Sequence, residues 1–268
     1  MYLEYWALKE NPFQNTSDPK FLCLSEQHEE ALSRLNYAVH EFKACAMLTG
    51  VFGSGKTLLA QALIESLPKD QFTSAFIFNP QLTHVELLKE IVYQLGIREH
   101  ISDQKTDVLH KLSDVLTDNY AEGRHTVVVV DEAHLIEDRL IFEELRLLLN
   151  FQKKDKFLLT LILVGQPELR DKITNIKPFD QRIALRFHLR GLKPEETRTY
   201  ILHRLKVAGA QRSIFEEDTF LSVHESTGGI PRRINQVCDL ALLNGFGMRA
   251  PMITTAIIKE VIMDPQML

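Results

Sequence analysis

Eight consecutive residues from Gly50 to Thr57 have the composition of a loop that binds phosphate. They read Gly-Val-Phe-Gly-Ser-Gly-Lys-Thr and match the spacing G-x-x-x-x-G-K-[ST]. Glycines permit the backbone to curl so that successive N–H groups point at one anion. Lys56 can then reach the β- and γ-phosphates of a nucleotide, and the Thr57 hydroxyl can ligate Mg²⁺. The predicted binding residues are Gly50, Val51, Phe52, Gly53, Ser54, Gly55, Lys56, Thr57 and Leu58.

Two adjacent carboxylates follow an uninterrupted run of branched apolar residues. The run HTVVVV covers residues 125–130, and Asp131 and Glu132 come next. Such a continuous apolar run is typical of a strand that is covered on both faces. In open α/β sheets, ligands bind at the edge where the carboxyl ends of the strands lie. Asp131 is therefore predicted to hold the magnesium ion through water, and Glu132 to polarise an attacking water molecule. The alternative is a buried strand that ends in two solvated acids.

The elements that position these residues alternate between strand and helix. Apolar or β-rich runs predict strands, and the segments between them have helical periods. This alternation indicates a parallel sheet flanked by helices, and after Gly191 only helical periods remain. We predict an N-terminal strap and helix over 1–43, an α/β domain over 44–190, and a small all-α lid over 191–268. The predicted strands are 44–49, 73–79, 125–130, 157–164 and 184–189.

Composition excludes several classes of protein. The chain has 268 residues, of which 45% are hydrophobic and 25% charged, as in ordinary globular domains. Its net charge of −5 gives no support to strong nonspecific DNA binding. Three widely spaced cysteines argue against a disulfide framework or a zinc site. No signal peptide and no membrane span is predicted, so we expect a cytoplasmic protein.

Residues 131–134 spell Asp-Glu-Ala-His, which is also the motif of one helicase superfamily. Those helicases need two α/β domains, and this sequence predicts one. We therefore interpret His134 as a residue at the start of a helix.

Taken together, these motifs resemble AAA+ ATPases, which are P-loop NTPases of the ASCE type, and specifically the ExeA/GspA-like group. The resemblance covers nearly the whole chain, and it extends to transposition ATPases of the TniB/TnsC kind. Besides the phosphate loop and Asp131-Glu132, it rests on Trp6–Phe13, Asp18–Leu22, Leu163–Leu169, Gln181–Ile183 and Gly229–Asn235.

The resemblance assigns further roles by position. It implies that Gln166 senses the γ-phosphate or the attacking water, and that Arg182 acts in trans on the nucleotide of a neighbouring subunit. Arg186 is the alternative to Arg182 in that role. Arg232 is implied to reach the nucleotide from the lid, and Asn79 to orient Glu132. The segments around Pro12-Phe13 and Phe21-Leu22 are implied to border the adenine; the alternative is a hydrophobic strap over the core.

The expected function is Mg²⁺-dependent ATP binding and hydrolysis, coupled to assembly of a homo-oligomeric ring or filament. The resemblance implies a protein partner in a secretion-type system. The alternative is a DNA-binding ATPase that recruits a transposase, with the lysine-rich loop 152–156 touching DNA phosphates. A small-molecule kinase is a third reading, which the Asp131-Glu132 pair disfavours.

Overall fold

The structure, a computed structural model, describes residues 2–15, 19–98 and 102–263. Asp18, which carries part of the resemblance, lies outside the described residues. The chain divides into two compact units. The helical unit comprises Met1–Glu26, Gly53–Leu58 and Arg190–Leu268, and the sheet unit comprises Gln27–Phe52 and Leu59–Leu189. The division predicted at 43 and 190 stays a prediction.

A five-stranded parallel sheet forms the centre of the sheet unit, in the order β2-β3-β6-β1-β7. The three central strands are buried along their whole length, which is why their sequences are mostly apolar. The predicted fold class, a parallel α/β sheet flanked by helices, is therefore confirmed. The strands are β1 Cys45–Gly50, β2 Phe72–Ile77, β3 His125–Val130, β6 Leu159–Gly165 and β7 Ile183–Leu189.

Side-chain caps fix where some of the helices around the sheet begin. Thr83 accepts a hydrogen bond from the backbone N–H of Glu86, whose carboxylate accepts one from the Thr83 N–H, so α4 begins on a complete capping box. Asp138 caps α6 through the Leu140 N–H. The helices are α2 Glu26–His40, α3 Lys56–Ser66, α4 His84–Gln94, α5 Lys105–Ala121, α6 Arg139–Leu148, α7 Glu168–Thr174 and α8 Lys177–Asp180.

The segment predicted as a lysine-rich loop forms a small hairpin instead. Its strands are β4 Gln152–Lys153 and β5 Lys156–Phe157, and they pair antiparallel. Lys154 lies in the left-handed region, at φ 56°, which allows the tight turn between them. Phe157 therefore belongs to the hairpin, and the strand predicted from 157 begins at Leu159.

The helical unit buries the N-terminal segment in its core. Trp6 is fully buried and donates a hydrogen bond from its indole to the Leu242 carbonyl, at 2.9 Å. Phe13 and Phe21 are buried in the same cluster. The unit contains α1 Tyr2–Tyr5, a 3-10 helix over Pro19–Phe21, α9 Pro194–Val207, α10 Thr219–Thr227, α11 Pro231–Gly247 and α12 Thr255–Met263.

A buried guanidinium holds the N-terminal segment in place. Arg204 of α9 donates to the carbonyls of Pro12 and Gln14, at 2.6 and 2.9 Å, and to the Tyr200 hydroxyl, at 2.8 Å. Three of its five N–H donors are thus bound to neutral oxygens. Within the described part of the chain, none of the helices is both long enough and apolar enough to cross a bilayer.

Candidate functional site

The phosphate loop follows β1 and has the backbone that its glycines permit. Gly53 and Gly55 adopt φ values of 80° and 94°, in the left-handed region that favours glycine. Helix α3 begins at Lys56, whose side chain is buried, whereas Phe52 is more than half exposed. The backbone N–H groups at the start of α3 carry the positive end of its dipole, which is suited to an anion.

Three candidate residues lie at the carboxyl ends of neighbouring parallel strands. Gly50 ends β1, Asp131 follows β3, and Gln166 follows β6, which lies between the other two. Because adjacent strands lie about 4.8 Å apart, β1 and β3 are separated by about 10 Å. The sheet unit therefore presents the start of the loop, the acidic pair and Gln166 at one edge.

Asp131 and Glu132 differ in exposure and in backbone geometry. Asp131 is 2% exposed, and its carboxylate accepts a hydrogen bond from the Glu132 N–H at 2.8 Å. Glu132 adopts φ 49°, a left-handed conformation that is costly for a residue with a Cβ. This turn ends β3 and directs the following chain into a 3-10 helix over Ala133–Leu135.

His134 lies between Glu132 and Gln166. Its Nδ1 is 3.3 Å from Glu132 Oε2, and its Nε2 is 2.9 Å from the side-chain nitrogen of Gln166. The interpretation of His134 as a residue of a helix start fits its place in the 3-10 helix. Sequence reasoning missed its contact with Gln166, since no spacing rule relates two residues that are 32 positions apart and follow different strands.

Arg232 contacts the phosphate loop within the helical unit. Its backbone N–H donates to the Gly53 carbonyl at 3.3 Å. A Cβ added to Gly53 would lie 2.5 Å from the Cβ of Arg232, a separation that side chains do not reach. The first turn of α11 is therefore in van der Waals contact with the loop.

The two arginines considered for action in trans flank the start of β7, and each has a partner in its own chain. Arg182 donates to the side-chain oxygen of Asn150 at 3.3 Å. Arg186 forms an ion pair with Asp180 at 2.7 Å. Among the described residues, Arg186 is thus bound to a carboxylate and Arg182 to a neutral amide.

Asn79 closes a turn. Its side-chain oxygen accepts a hydrogen bond from the Gln81 N–H at 3.1 Å. Its predicted role in orienting Glu132 stays a prediction.

A cavity of about 360 Å³ adjoins the N-terminal segment in the helical unit. Its polar lining includes three carboxylates, so a negatively charged group would be repelled there. Burial raises the pKa of the Cys23 thiol at its wall, and the Glu196 carboxylate adds to this effect while Arg204 opposes it. The lining residues are Cys23, Leu24, Ser25, Glu26, Leu192, Glu195, Glu196, Thr199 and Tyr200.

Comparison with known proteins identifies the family. Residues 40–173, half of the chain, match the family described as AAA domain. The chain belongs to the AAA domain family. It is also 38% identical over 250 residues to general secretion pathway protein A of Aeromonas hydrophila, a match that covers 92% of this chain. The chain spans 45% of the length of that relative.

Solved structures share the fold of this AAA domain. The ORC2 protein of Aeropyrum pernix, in ADPNP and ADP complexes, superposes with a TM-score of 0.68 at 19% identity, over 95% of this chain and 71% of that one. Drosophila ORC bound to DNA gives a TM-score of 0.73 at 17% identity, over 100% and 66%. The Thermotoga maritima RuvB branch migration motor gives 0.59 at 17% identity, over 88% and 68%.

The donor set of the AAA domain fits a nucleotide with magnesium. Thr57 and Asp131 offer a hydroxyl and a carboxylate, the hard oxygen ligands that Mg²⁺ prefers while it retains water and phosphate oxygens. The described residues contain no group of three or more histidines, cysteines and acids that could hold a metal without such help. A metal held by either residue would therefore depend on phosphate oxygens for part of its coordination.

Proposed function

We propose that this AAA domain binds ATP with Mg²⁺ and hydrolyses it to ADP and phosphate, coupling the nucleotide state to assembly of a homo-oligomer. The observation that carries the proposal is the loop Gly50–Thr57 itself. Its left-handed glycines and its buried lysine follow the strand whose sheet also positions Asp131 and Gln166. That combination suits a phosphate tail at the loop and water activation at the neighbouring strand ends.

Each proposed role follows from the chemistry of its side chain. The loop N–H groups and Lys56 bind the β- and γ-phosphates. Thr57 and Asp131 would hold Mg²⁺, which neutralises phosphate charge when bound. Glu132 accepts a proton from the attacking water, and Gln166 orients that water or the γ-phosphate.

Two arginines complete the proposed site. Arg232 binds the nucleotide in cis, which its contact with Gly53 supports. Arg182 stabilises the transition state on the neighbouring subunit, since its bond to a neutral amide is easier to break than an ion pair. Arg186 stays the less favoured candidate because it is paired with Asp180.

We further propose that the cavity lined by residues 23–26, which follow Phe21 and Leu22 in the chain, receives the adenine ring. Its carboxylates can accept hydrogen bonds from an exocyclic amino group, and they repel phosphates, so they would orient the nucleotide base-first. Phe21 also packs in the helical core, and the two roles are compatible.

A secretion-type system is the proposed context, because the curated relative with 38% identity is a general secretion pathway protein. The transposition alternative has no observation of this structure in its favour. Two of the three hairpin lysines lie over aromatic rings, Lys153 over Tyr120 at 5.4 Å and Lys156 over Phe42 at 4.5 Å. These contacts give both lysines a place in the fold without an anionic partner.

The test is ATP binding and turnover by matched variants. We expect Lys56→Ala to lose binding of labelled ATP in the presence of magnesium, while Lys69→Ala, at an exposed lysine, binds normally. We expect Glu132→Gln to bind ATP without turning it over, while Glu137→Gln keeps full turnover. Equal turnover by wild type and Glu132→Gln would contradict the assignment of the base.

The arginine in trans is tested by mixing two inactive variants. A subunit with Arg182→Ala keeps Glu132, and a subunit with Glu132→Gln keeps Arg182, so a mixed interface contains one complete site. We expect the mixture to regain ATPase activity that neither variant has alone. A mixture that stays inactive would remove Arg182 from this role. ATPase stimulation by DNA, together with filament formation, would favour the transposition alternative.

A further inference from the structure

Glu132 lies at a turn that its own backbone does not favour. Its φ of 49° and ψ of 32° are left-handed, a conformation that a residue with a Cβ keeps only when the surrounding structure holds it there. The 3-10 helix that follows, Ala133–Leu135, has only three residues. It is closed by a bond from the Leu135 N–H to the Glu132 carbonyl at 2.8 Å and by one from the Ile136 N–H to the Ala133 carbonyl at 3.3 Å. A single turn with such bonds is too short to fix the direction of Glu132 by itself.

A lysine from another helix binds the end of this turn. Lys172 lies on α7, and its ammonium donates to the carbonyls of His134, at 2.5 Å, and of Ile136, at 2.8 Å. Carbonyls at the end of a short helix have no further N–H of that helix to bind. Because these two carbonyls lie two and four residues after Glu132, binding both fixes the course of the chain that leaves the left-handed turn.

Helix α7 is itself held against the turn. Its residues Leu169 and Ile173 are buried in the core of the sheet unit. A Cβ added to Gly165 would lie 2.9 Å from the Leu169 side chain and 3.2 Å from the His134 backbone nitrogen. The end of β6 is therefore in contact with both α7 and the 3-10 helix, which leaves the ammonium of Lys172 little freedom to move away.

The chemistry of lysine suits this position. An ammonium group has three N–H donors, so it can donate to two carbonyls at once. Hydrogen bonds from a charged donor are stronger than those between neutral groups, and Lys172 is partly buried, which reduces competition from water. A methionine of similar length would leave both carbonyls without this donor.

We propose that Lys172 is a positioning residue that holds the left-handed turn at Glu132 and thereby directs the Glu132 carboxylate. Lys172 acts through the backbone of residues 134–136 and touches neither the substrate nor the reacting atoms. Without it, the chain after β3 relaxes towards the conformations that residues with a Cβ prefer, and the carboxylate turns with it. The hold on the turn rests on the observed contacts, whereas its catalytic consequence rests on the proposed ATP hydrolysis.

Hydrogen–deuterium exchange of nucleotide-free protein, followed by NMR, tests the hold on the turn directly. We expect Lys172→Met to speed exchange of the Leu135 and Ile136 amides by at least about tenfold, because their bonds close the 3-10 helix. Lys177→Met, at an exposed lysine of α8, should leave both rates unchanged. Unaltered exchange in Lys172→Met would overturn the proposal, whether or not the protein hydrolyses ATP.

ATP turnover tests the catalytic consequence. We expect Lys172→Met to lower kcat about tenfold, with the KM for ATP and the binding of labelled ATP within about twofold, because the phosphate loop is untouched. Lys172→Arg, whose guanidinium can also donate to two carbonyls, should stay within about threefold of the wild-type kcat. A loss confined to KM would contradict the positioning role, as would a Lys172→Arg protein as slow as Lys172→Met.

Two further comparisons separate this proposal from a failure of folding or of the proposed function. Lys172→Gln keeps a shorter donor group, so its exchange rates and its kcat should lie between those of wild type and Lys172→Met. Values for Lys172→Gln equal to those of wild type would contradict the need for the ammonium. Wild-type protein without ATPase activity would refute the proposed function, while the exchange rates still decide whether Lys172 holds the turn.

Discussion

His125 makes the stability of the sheet unit depend on pH, by an amount that the structure allows us to calculate. It begins β3, donates from Nε2 to the Thr160 hydroxyl at 2.9 Å, and packs edge-on against Phe42. Thr160 in turn donates to the Lys43 carbonyl, which fixes the direction of the bond from His125. Burial, with a smaller contribution from the Lys156 charge, lowers the pKa of His125 from 6.5 to about 4.

The sign follows from which state binds the proton first. The unfolded chain protonates its histidine near pH 6.5, whereas the folded protein does so only near pH 4, so the free energy of unfolding falls as the pH drops through this window. The full loss is about 3 kcal/mol, of which about 2 kcal/mol has been lost at pH 5.

Chemical denaturation of wild type and His125→Asn at pH 7.5 and pH 5.0 measures this loss. We expect the difference in unfolding free energy between the two proteins to shift by about 2 kcal/mol towards the variant at the lower pH. His110→Asn, which removes an exposed histidine, should reproduce the pH dependence of wild type. A His125→Asn protein with the same pH dependence as wild type would refute the argument from burial.

Three further substitutions or reactions test the packing. Gly229→Ala should destabilise the helical unit by at least about 2 kcal/mol, because its φ is 70° and a Cβ would lie 2.1 Å from the Leu192 carbonyl oxygen; Gly247→Ala, where a Cβ meets nothing, should not. These values are read from thermal unfolding followed by Trp6 fluorescence. In folded protein, Cys23 should react with a thiol reagent well before the two buried cysteines, as mass spectrometry can show. Thr83→Ala should lower the unfolding free energy by about 1 kcal/mol in denaturant titrations, because it removes the cap of α4.

Much of the sheet unit could be predicted from sequence because its strands are buried on both faces. The run 125–130 corresponds residue for residue to β3. The sequence-based predictions fail where the pairing of strands depends on backbone conformation rather than on runs of apolar residues. The hairpin at 152–157 is an example, since its turn depends on a left-handed lysine for which sequence offers no rule.

The contacts among candidate residues could not be predicted in the same way. Spacing placed Glu132 after one strand and Gln166 after another, but it did not order the strands. The sheet makes β3 and β6 neighbours, and only then does a residue interpreted as a helix start come to lie between two functional candidates. Local sequence motifs identify such residues, whereas the order of the strands in the sheet determines which of them come into contact.

Gly53 meets two structural requirements at one position. The phosphate-loop spacing leaves this position unspecified, since only Gly50 and Gly55 are required as glycine. The structure nevertheless requires glycine here for two reasons. Its φ is 80°, and a side chain at this position would overlap Arg232. A larger residue at 53 would therefore strain the loop and push away the first turn of α11, even in the absence of nucleotide. The glycine that allows the loop to curl is thus also the one that lets α11 approach it.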